Sequence, residues 1–296
     1  MNRSVDWLKG FCLLLSGLCL LLNGSCSRAH NEPLVVGSKN FTESVILGEL
    51  VAQKLESAGC TVERRLNMGG TFVCDAAIAN RSLDAYVEYS GTALTAILKL
   101  PASSDRAAVD RIVREAYARR ALGWGPNLGF NNTFAMIVRK DDAQRFGLRT
   151  ISDLHKVEAQ SQPGFGYEFV ERPDGWNGLV ARYGLHFANP PKTMDLGLTY
   201  KALASKQVDL IAGNSTDGLI ESLGLVALED DRHYFPPYDA AIVPRGGIDR
   251  RCRGASTVLA SLAGTIDDAT MRRLNFEVDG KKRDVADVAR ELLARH

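Results

Sequence analysis

Between residues 34 and 87 the chain alternates three short apolar runs with two segments of helical period. LVVGS (34–38) reads as a buried strand that ends in Gly and Ser. FTESVILGELVAQKLESAG (41–59) follows, with Val45, Ile46, Glu49, Leu50 and Lys54 sorting into apolar and polar faces. Thr42 is its expected N-cap and Gly59 its stop. TVERRL (61–66) gives a second strand, Gly69-Gly70-Thr71 turns into a helix over about 72–80, and LDAYV (83–87) gives a third strand. This β-α-β-α-β order predicts an α/β chain whose sheet is mostly parallel with helices on its faces.

The remainder continues the pattern. Gly91-Thr92 opens a helix to about Leu98, and 105–122 is a long helix whose arginines form a solvated face. GPNLGFNNTF (125–134) reads as a loop, followed by the strand AMIV (135–138). ISDL (151–154) starts a helix, a glycine-rich loop runs to Gly166, and another helix covers about 174–183. Residues 194–218 give a helix, the strand VDLIAG and a new helix start; LVALEDD (225–231) and 233–243 lead into further strands. The last 45 residues read as two helices separated by NFEVDGKKR. Two α/β halves suggest two lobes with a ligand between them, because open sheets place ligands beyond the carboxyl ends of their strands. Gly37-Ser38, Glu88-Tyr89 and Asn214-Ser215 follow candidate strands and are expected to face one cleft.

Composition sets the class. At 45% hydrophobic and 24% charged, the 296 residues exclude disorder and collagen-like structure. Lys and Arg total 36 against 35 Asp and Glu, so no net basic field exists and general nucleic-acid binding is excluded. Residues 1–25 have the shape of a secretory signal: a weakly positive start, the apolar run FCLLLSGLCLLL (11–22), then small residues. That run is shorter than the roughly 20 residues of a membrane span. Gly24-Ser25-Cys26 resembles a bacterial lipobox, which would make Cys26 a lipid-attachment site. Lipidation, simple secretion and a retained anchor all place the folded body outside the cytoplasmic membrane, in the periplasm or on the membrane's outer face. Cys60, Cys74 and Cys252 remain for the body, so at most one bridge forms there; three small buried thiols is the first reading, and a Cys60–Cys74 bridge in an oxidising compartment the alternative. The histidines, at 30, 155, 186, 233 and 296, are too scattered for a metal site.

An ordered set of segments then points to a family. VGSKNFTES (36–44), NMGGT (67–71), LDAYVEYSGTALTAIL (83–98), NNTFAMIV (131–138), VDLIAGNSTDG (208–218), LEDDRHYFPPYDA (228–240) and MRRLNFEVDGKKRDVADVARELL (271–293) resemble stretches of osmoprotectant-type substrate-binding proteins. Those serve ABC importers for glycine betaine, choline, carnitine and related solutes. The resemblance covers about 34–294 and implies a type II periplasmic binding protein fold: two lobes with mostly parallel central sheets, joined by a two-crossover hinge. Residues 34–133 would start lobe one, 134–234 would form lobe two, and 235–296 would return to lobe one. The implied partners are a small solute, a permease and its ATPase, with the membrane added if Cys26 is lipidated. No cofactor, metal or catalysis is implied. An enzyme and a sensory module stand as alternatives, as does binding of a different polar solute such as an amino acid derivative. GxSxG, HExxH and GxxxxGK[ST] are absent from the sequence, and the chain ends at His296 without a second membrane segment.

The family holds trimethylammonium groups in an aromatic cage, since a quaternary ammonium has no hydrogen-bond donor and is stabilised by ring faces. By resemblance, Tyr89 (in EYSGT) and Tyr238 (in FPPYDA) are cage rings, and Thr92 is a hydroxyl near the ligand. Phe134 stands in NTF where the family often has NTY, and Asn214 stands before STDG where a tyrosine is usual; Ser44 replaces a frequent Gln. Ser38 and Lys39 either touch ligand or shape the loop after strand one. The residues themselves leave other readings open: Tyr89 as a satisfied core tyrosine, Tyr238 as loop packing, Asn214 as a cap for the STDG turn, and Asp217 as a brace for the crossover or a helix start. Glu43 reads as a first-turn charge favoured by the helix N-terminus, and Met68 and Phe72 as core.

Overall fold

The structure, a computed structural model, describes residues 32–295. Cys26 and the expected signal over 1–25 lie outside the described residues. β1 (Leu34–Gly37), α1 (Thr42–Ser57), β2 (Val62–Arg65), α2 (Thr71–Ala79) and β3 (Ala85–Tyr89) realise the opening alternation. After α3 (Arg106–Arg119) come β4 (Asn127–Asn131), β5 (Phe134–Arg139), β6 (Pro163–Gly166), α4 (Trp176–Tyr183), β7 (Lys192–Met194), β8 (Leu210–Asn214), β9 (Leu225–Leu228) and β10 (Asp239–Pro244). Helices α5 (Asp268–Asp279) and α6 (Val285–Leu293) pack back onto α1.

Two five-stranded sheets result, in the orders β2-β1-β3-β10-β4 and β7-β6-β8-β5-β9. The expectation of mostly parallel sheets needs correction, because both are mixed. β1 pairs in parallel with β2 and β3, and β6 with β7 and β8, but β10 is antiparallel to both its neighbours and so is β5. The cause is connectivity. A parallel neighbour requires a long return to the same end of the sheet. Only Asn132 and Thr133 separate β4 from β5. A strand that starts where the previous sheet ended must run away from that point. The same holds for β10, reached from β9 through 229–238. The chain therefore crosses between sheets twice, and the two reversed strands begin at the crossovers.

Residues on β3 and β10 alternate between two cores. Ala85, Val87, Tyr89, Ala240 and Ile242 pack on the face that carries α1, whereas Tyr86, Ala241 and Val243 pack with Val109, Val113 and Tyr117 of α3. That alternation excludes the Cys60–Cys74 bridge, and the reading of three free thiols fails as well. Cys60 belongs to the first core and Cys74 to the second, on opposite faces of the sheet. Cys60 instead bonds Cys252, with Cα atoms 5.6 Å apart, and Cys74 is a buried free thiol.

Other local expectations shift. The Asn- and Gly-rich stretch 125–134 contains β4, where Leu128 and Phe130 are buried on either side of an exposed Gly129. Gly129 has φ +122°, and an added Cβ there would strike the Ile266 carbonyl. The glycine-rich loop ending at Gly166 closes as β6, and NFEVD lies inside α5 instead of between helices. Thr42 does not cap α1; its hydroxyl donates to Asp279 Oδ1 at 2.6 Å, tying α1 to the end of α5. Phe72 is 44% exposed and so is not core, whereas Met68 is half-buried and packs against the edge of the second core.

Candidate functional site

Forward strands end at the cleft and reversed strands begin there, so the topology alone brings Tyr89, Asn214, Phe134 and Tyr238 to one region. A cavity of about 260 Å³ lies between the lobes, with Lys39, Tyr89, Thr92, Phe134, Asn214 and Tyr238 in its wall. Of the seven expected site residues, Ser38 alone is outside that wall. Its buried hydroxyl accepts from the Asn67 N–H at 2.8 Å and donates to the Lys39 carbonyl at 3.0 Å, which fixes the loop after β1.

Lys39 is buried. Its ammonium donates to Glu88 Oε1 at 2.5 Å and to Thr71 Oγ1 at 3.3 Å, and stands 4.9 Å from the centre of the Tyr89 ring. Burial pushes the Glu88 carboxyl up, and Lys39 opposes that shift. Tyr89 turns its hydroxyl away from the cavity, to Glu43 Oε1 at 2.7 Å. Phe41 stands beside its ring, 6.2 Å between centres.

A second aromatic group comes from the reversed strands and the short helix Tyr167–Glu171. Phe134 meets Phe169 at 5.0 Å and Tyr238 at 5.5 Å, both edge to face. Over Phe134 lies the Arg172 guanidinium, 5.1 Å from the ring centre. Arg172 is 4% exposed and holds Asp174 through Nε at 2.8 Å and Nη2 at 2.5 Å. The same Nη2 donates to Thr92 Oγ1 at 3.1 Å, so Arg172 of the second sheet's lobe reaches a hydroxyl beside the first sheet. Tyr238 donates to Asp174 Oδ2 at 2.6 Å. Burial pushes Asp174 up, but Arg172 and Tyr238 together outweigh it and hold the carboxyl below its ordinary value. Glu168 also crosses the gap: a Cβ on Gly70 would collide with its carboxylate.

Asn214 is half-buried, and its side chain has no hydrogen bond among the described residues. The STDG turn is braced by Asp217, whose Oδ2 accepts the Asn214 N–H at 2.8 Å and the Tyr200 hydroxyl. Glu43 differs most from its expected part as a helix-end charge. It is 1% exposed and accepts four bonds: Tyr89 and Asn132 Nδ2 on Oε1, both at 2.7 Å, and Thr216 at 2.5 Å and Asn275 at 3.1 Å on Oε2. It thus joins α1, the first crossover, the exit of β8 and α5. Burial raises its pKa, and the four donors oppose the rise.

The wall therefore combines rings from both lobes with two cations, each holding its own buried carboxylate, and with Glu168 and Asp195. Such a surface suits a small solute carrying both charges, with ring faces for a group that cannot donate. Sequence reasoning missed Arg172, Phe169, Asn132 and Glu168. Arg172 and Asp174 flank Pro173 in ERPDG, which looks like an exposed turn; only the fold shows the pair to be buried.

Residues 32–295 match the family model described as the substrate binding domain of ABC-type glycine betaine transport system. A glycine-betaine-binding protein of Pseudomonas aeruginosa is 35% identical over 278 residues, covering 90% of this chain and 89% of that protein. The ergothioneine transport permease/ergothioneine binding protein EgtU of Helicobacter pylori is 35% identical over 267 residues; the match covers 89% of this chain but 48% of that protein, so the chain spans about half its length. The crystal structure of a glycine betaine/carnitine/choline ABC transporter superposes with TM-score 0.71 at 30% identity, covering 89% of this chain and 98% of the other.

Proposed function

The chain belongs to the family of substrate-binding domains of ABC-type glycine betaine transport systems, and from that membership we propose that it captures a trimethylammonium carboxylate in the cleft between its lobes. Its fold is the two-lobed type II periplasmic-binding one with mixed sheets. It is the extracytoplasmic substrate-binding component of an importer for a small compatible solute, and its partners are a permease and an ATPase. In the proposed arrangement lobe one comprises 34–133 and 235–296 and lobe two 134–234. The lobes close on solute because only the closed form lets it touch both. A lipid on Cys26 would hold the protein to the outer face of the membrane.

Tyr89, Phe134 and Tyr238 offer ring faces to the ammonium group. Arg172, with Lys39 and Thr92, offers donors to the carboxylate. The observation that carries this reading is the shared wall: rings from both lobes line one cavity together with a buried guanidinium that lies over Phe134. A cage with Asn214 in place of a ring gives up one cation–π contact, worth about 0.5–2 kcal/mol, so the carboxylate contacts have to carry much of the selectivity.

Calorimetric titration with glycine betaine, carnitine and choline tests the assignment. The two zwitterions should bind at least tenfold more tightly than choline, which has no carboxylate for Arg172. Arg172→Lys should erase that preference, because a lysine cannot reproduce the planar fork. Equal affinity for choline and glycine betaine in the wild type, or no binding of any of the three, would refute the proposal.

A further inference from the structure

β1 and β3 end at the cleft, so their starts, with the end of antiparallel β10, form the opposite pole of the first sheet. Positive charge collects at that pole. RGGIDRRCR (245–253) follows β10 with four arginines and one aspartate, in a chain whose formal net charge is only +1. Several bonds fasten the segment there. The Gly246 N–H donates to the Ala121 carbonyl at 2.9 Å, just past α3. Arg251 Nη2 donates to the Pro33 carbonyl at 2.7 Å, and Cys252 is bridged to Cys60, just before β2.

Two of the four arginines brace the fold. Asp84, 1% exposed and next to β3, accepts Arg245 Nη2 at 2.7 Å on Oδ1 and Arg251 Nη1 at 2.5 Å on Oδ2. Two guanidiniums thus share one buried carboxylate. Arg250 and Arg253 have no such duty: both are exposed, with no acidic partner among the described residues. The same holds for Arg81, in the turn before β3, and for Arg119, at the end of α3. Asp249 is engaged by Ser256, whose N–H and hydroxyl it accepts at 3.0 and 2.5 Å. Like charges gathered on one surface repel each other, and a surface of opposite sign relieves that repulsion.

The sequence points to which surface that is. Pro33 stands seven positions after Cys26. A lipid on Cys26 would therefore keep the pole within about 25 Å of a membrane, the reach of seven extended residues. The field of an anionic bilayer decays within about 8 Å at physiological salt. A tether this short lets the arginines touch that layer and keeps them from straying far from it.

We propose that the arginine pole of lobe one docks on anionic phospholipid headgroups. The inference goes beyond the cleft reading and draws on the proposed Cys26 lipid only for the tether. A molecule docked in this way stands on lobe one. Its cleft lies at the far end of the sheet, away from the bilayer and accessible to solute.

The test is a lipid titration of the full chain carrying Cys26→Ser, so that no attached lipid contributes. Vesicles of phosphatidylcholine alone are compared with vesicles of phosphatidylcholine and phosphatidylglycerol in equal parts, at low salt. An arginine near an anionic surface is worth about fivefold in partitioning. The anionic-to-neutral ratio of partition coefficients should therefore reach about thirtyfold or more and collapse at high salt. Arg250→Ser together with Arg253→Ser should lower the ratio at least fivefold. Arg272→Ser together with Arg273→Ser removes the same charge from α5, whose first residue, Asp268, accepts the Asn131 N–H at the cleft end of β4; this pair should leave the ratio within twofold. A ratio near one before any arginine is replaced overturns the proposal. Equal losses in the two double variants overturn it as well, because net charge alone would then account for the binding.

Discussion

Asp217 shows how a single half-buried group can report on pH. Burial, with Glu43 and Asp279 nearby, pushes it up to about 7 against an ordinary value of 3.8, although the Tyr200 hydroxyl and the Asn214 N–H oppose the shift. Below about pH 4 the folded and unfolded chains both hold this proton. Above that the unfolded chain releases it first, so the contribution to stability is full in acid and is lost as pH rises through about 7. Asp217→Asn removes the titration. The melting temperature of the wild type minus that of the variant should therefore fall between about pH 4 and pH 7; a difference that stays flat or rises would refute the assignment. The contrast with Tyr89 is instructive. Its place at the end of a strand was legible in EYSGT, and the cavity wall includes it. That its hydroxyl serves Glu43 was not legible, because the four donors to Glu43 come from positions 89, 132, 216 and 275. No local pattern encodes a bond between residues that far apart.

Elements were readable where their periods were clean. The strand at 34–37, the helix at 42–57 and the strand at 85–89 have regular apolar spacing and appear within two residues of expectation. β4 was hidden because Asn127, Gly129 and Asn131 take its outward positions, where strands usually carry better formers. The helix through NFEVD was masked by the later DGKKR, which reads as a turn and in fact follows α5 only after Asp279. Cysteine pairing failed for a related reason: proximity in sequence favoured Cys74, but the faces of the sheet decide. The Cys60–Cys252 bridge spans a sequence separation of 192 and ties the α1–β2 turn to the segment after β10. Cys252→Ser should cost about 2–5 kcal/mol of unfolding free energy, read from denaturant melts under oxidising conditions. Cys74→Ser should leave the bridge intact. An unchanged midpoint for the Cys252 variant would show that the link contributes nothing.

At the scale of the molecule, Arg172–Thr92 and Glu168 against Gly70 connect the lobes across the cleft, while the two crossovers and Glu43 connect them behind it. A solute held by both sides adds its binding energy to the folded state. At about 100 times its dissociation constant it should raise stability by about 2.7 kcal/mol, which for a chain of this size is roughly 5–10 °C in melting temperature. A candidate that binds by calorimetry yet leaves the melt unmoved would not be binding the folded chain in preference to the unfolded one. The order β2-β1-β3-β10-β4 has one more consequence. β4 pairs with β10 alone, and β10 begins at Asp239. As the chain emerges N-terminus first, β3 and β4 must wait through more than a hundred residues for the strand that joins them. The first half of the molecule is thus the last to be finished, with a bare hydrogen-bonding edge along β3 in the interval, and pairing this far apart in sequence is the kind that forms slowly.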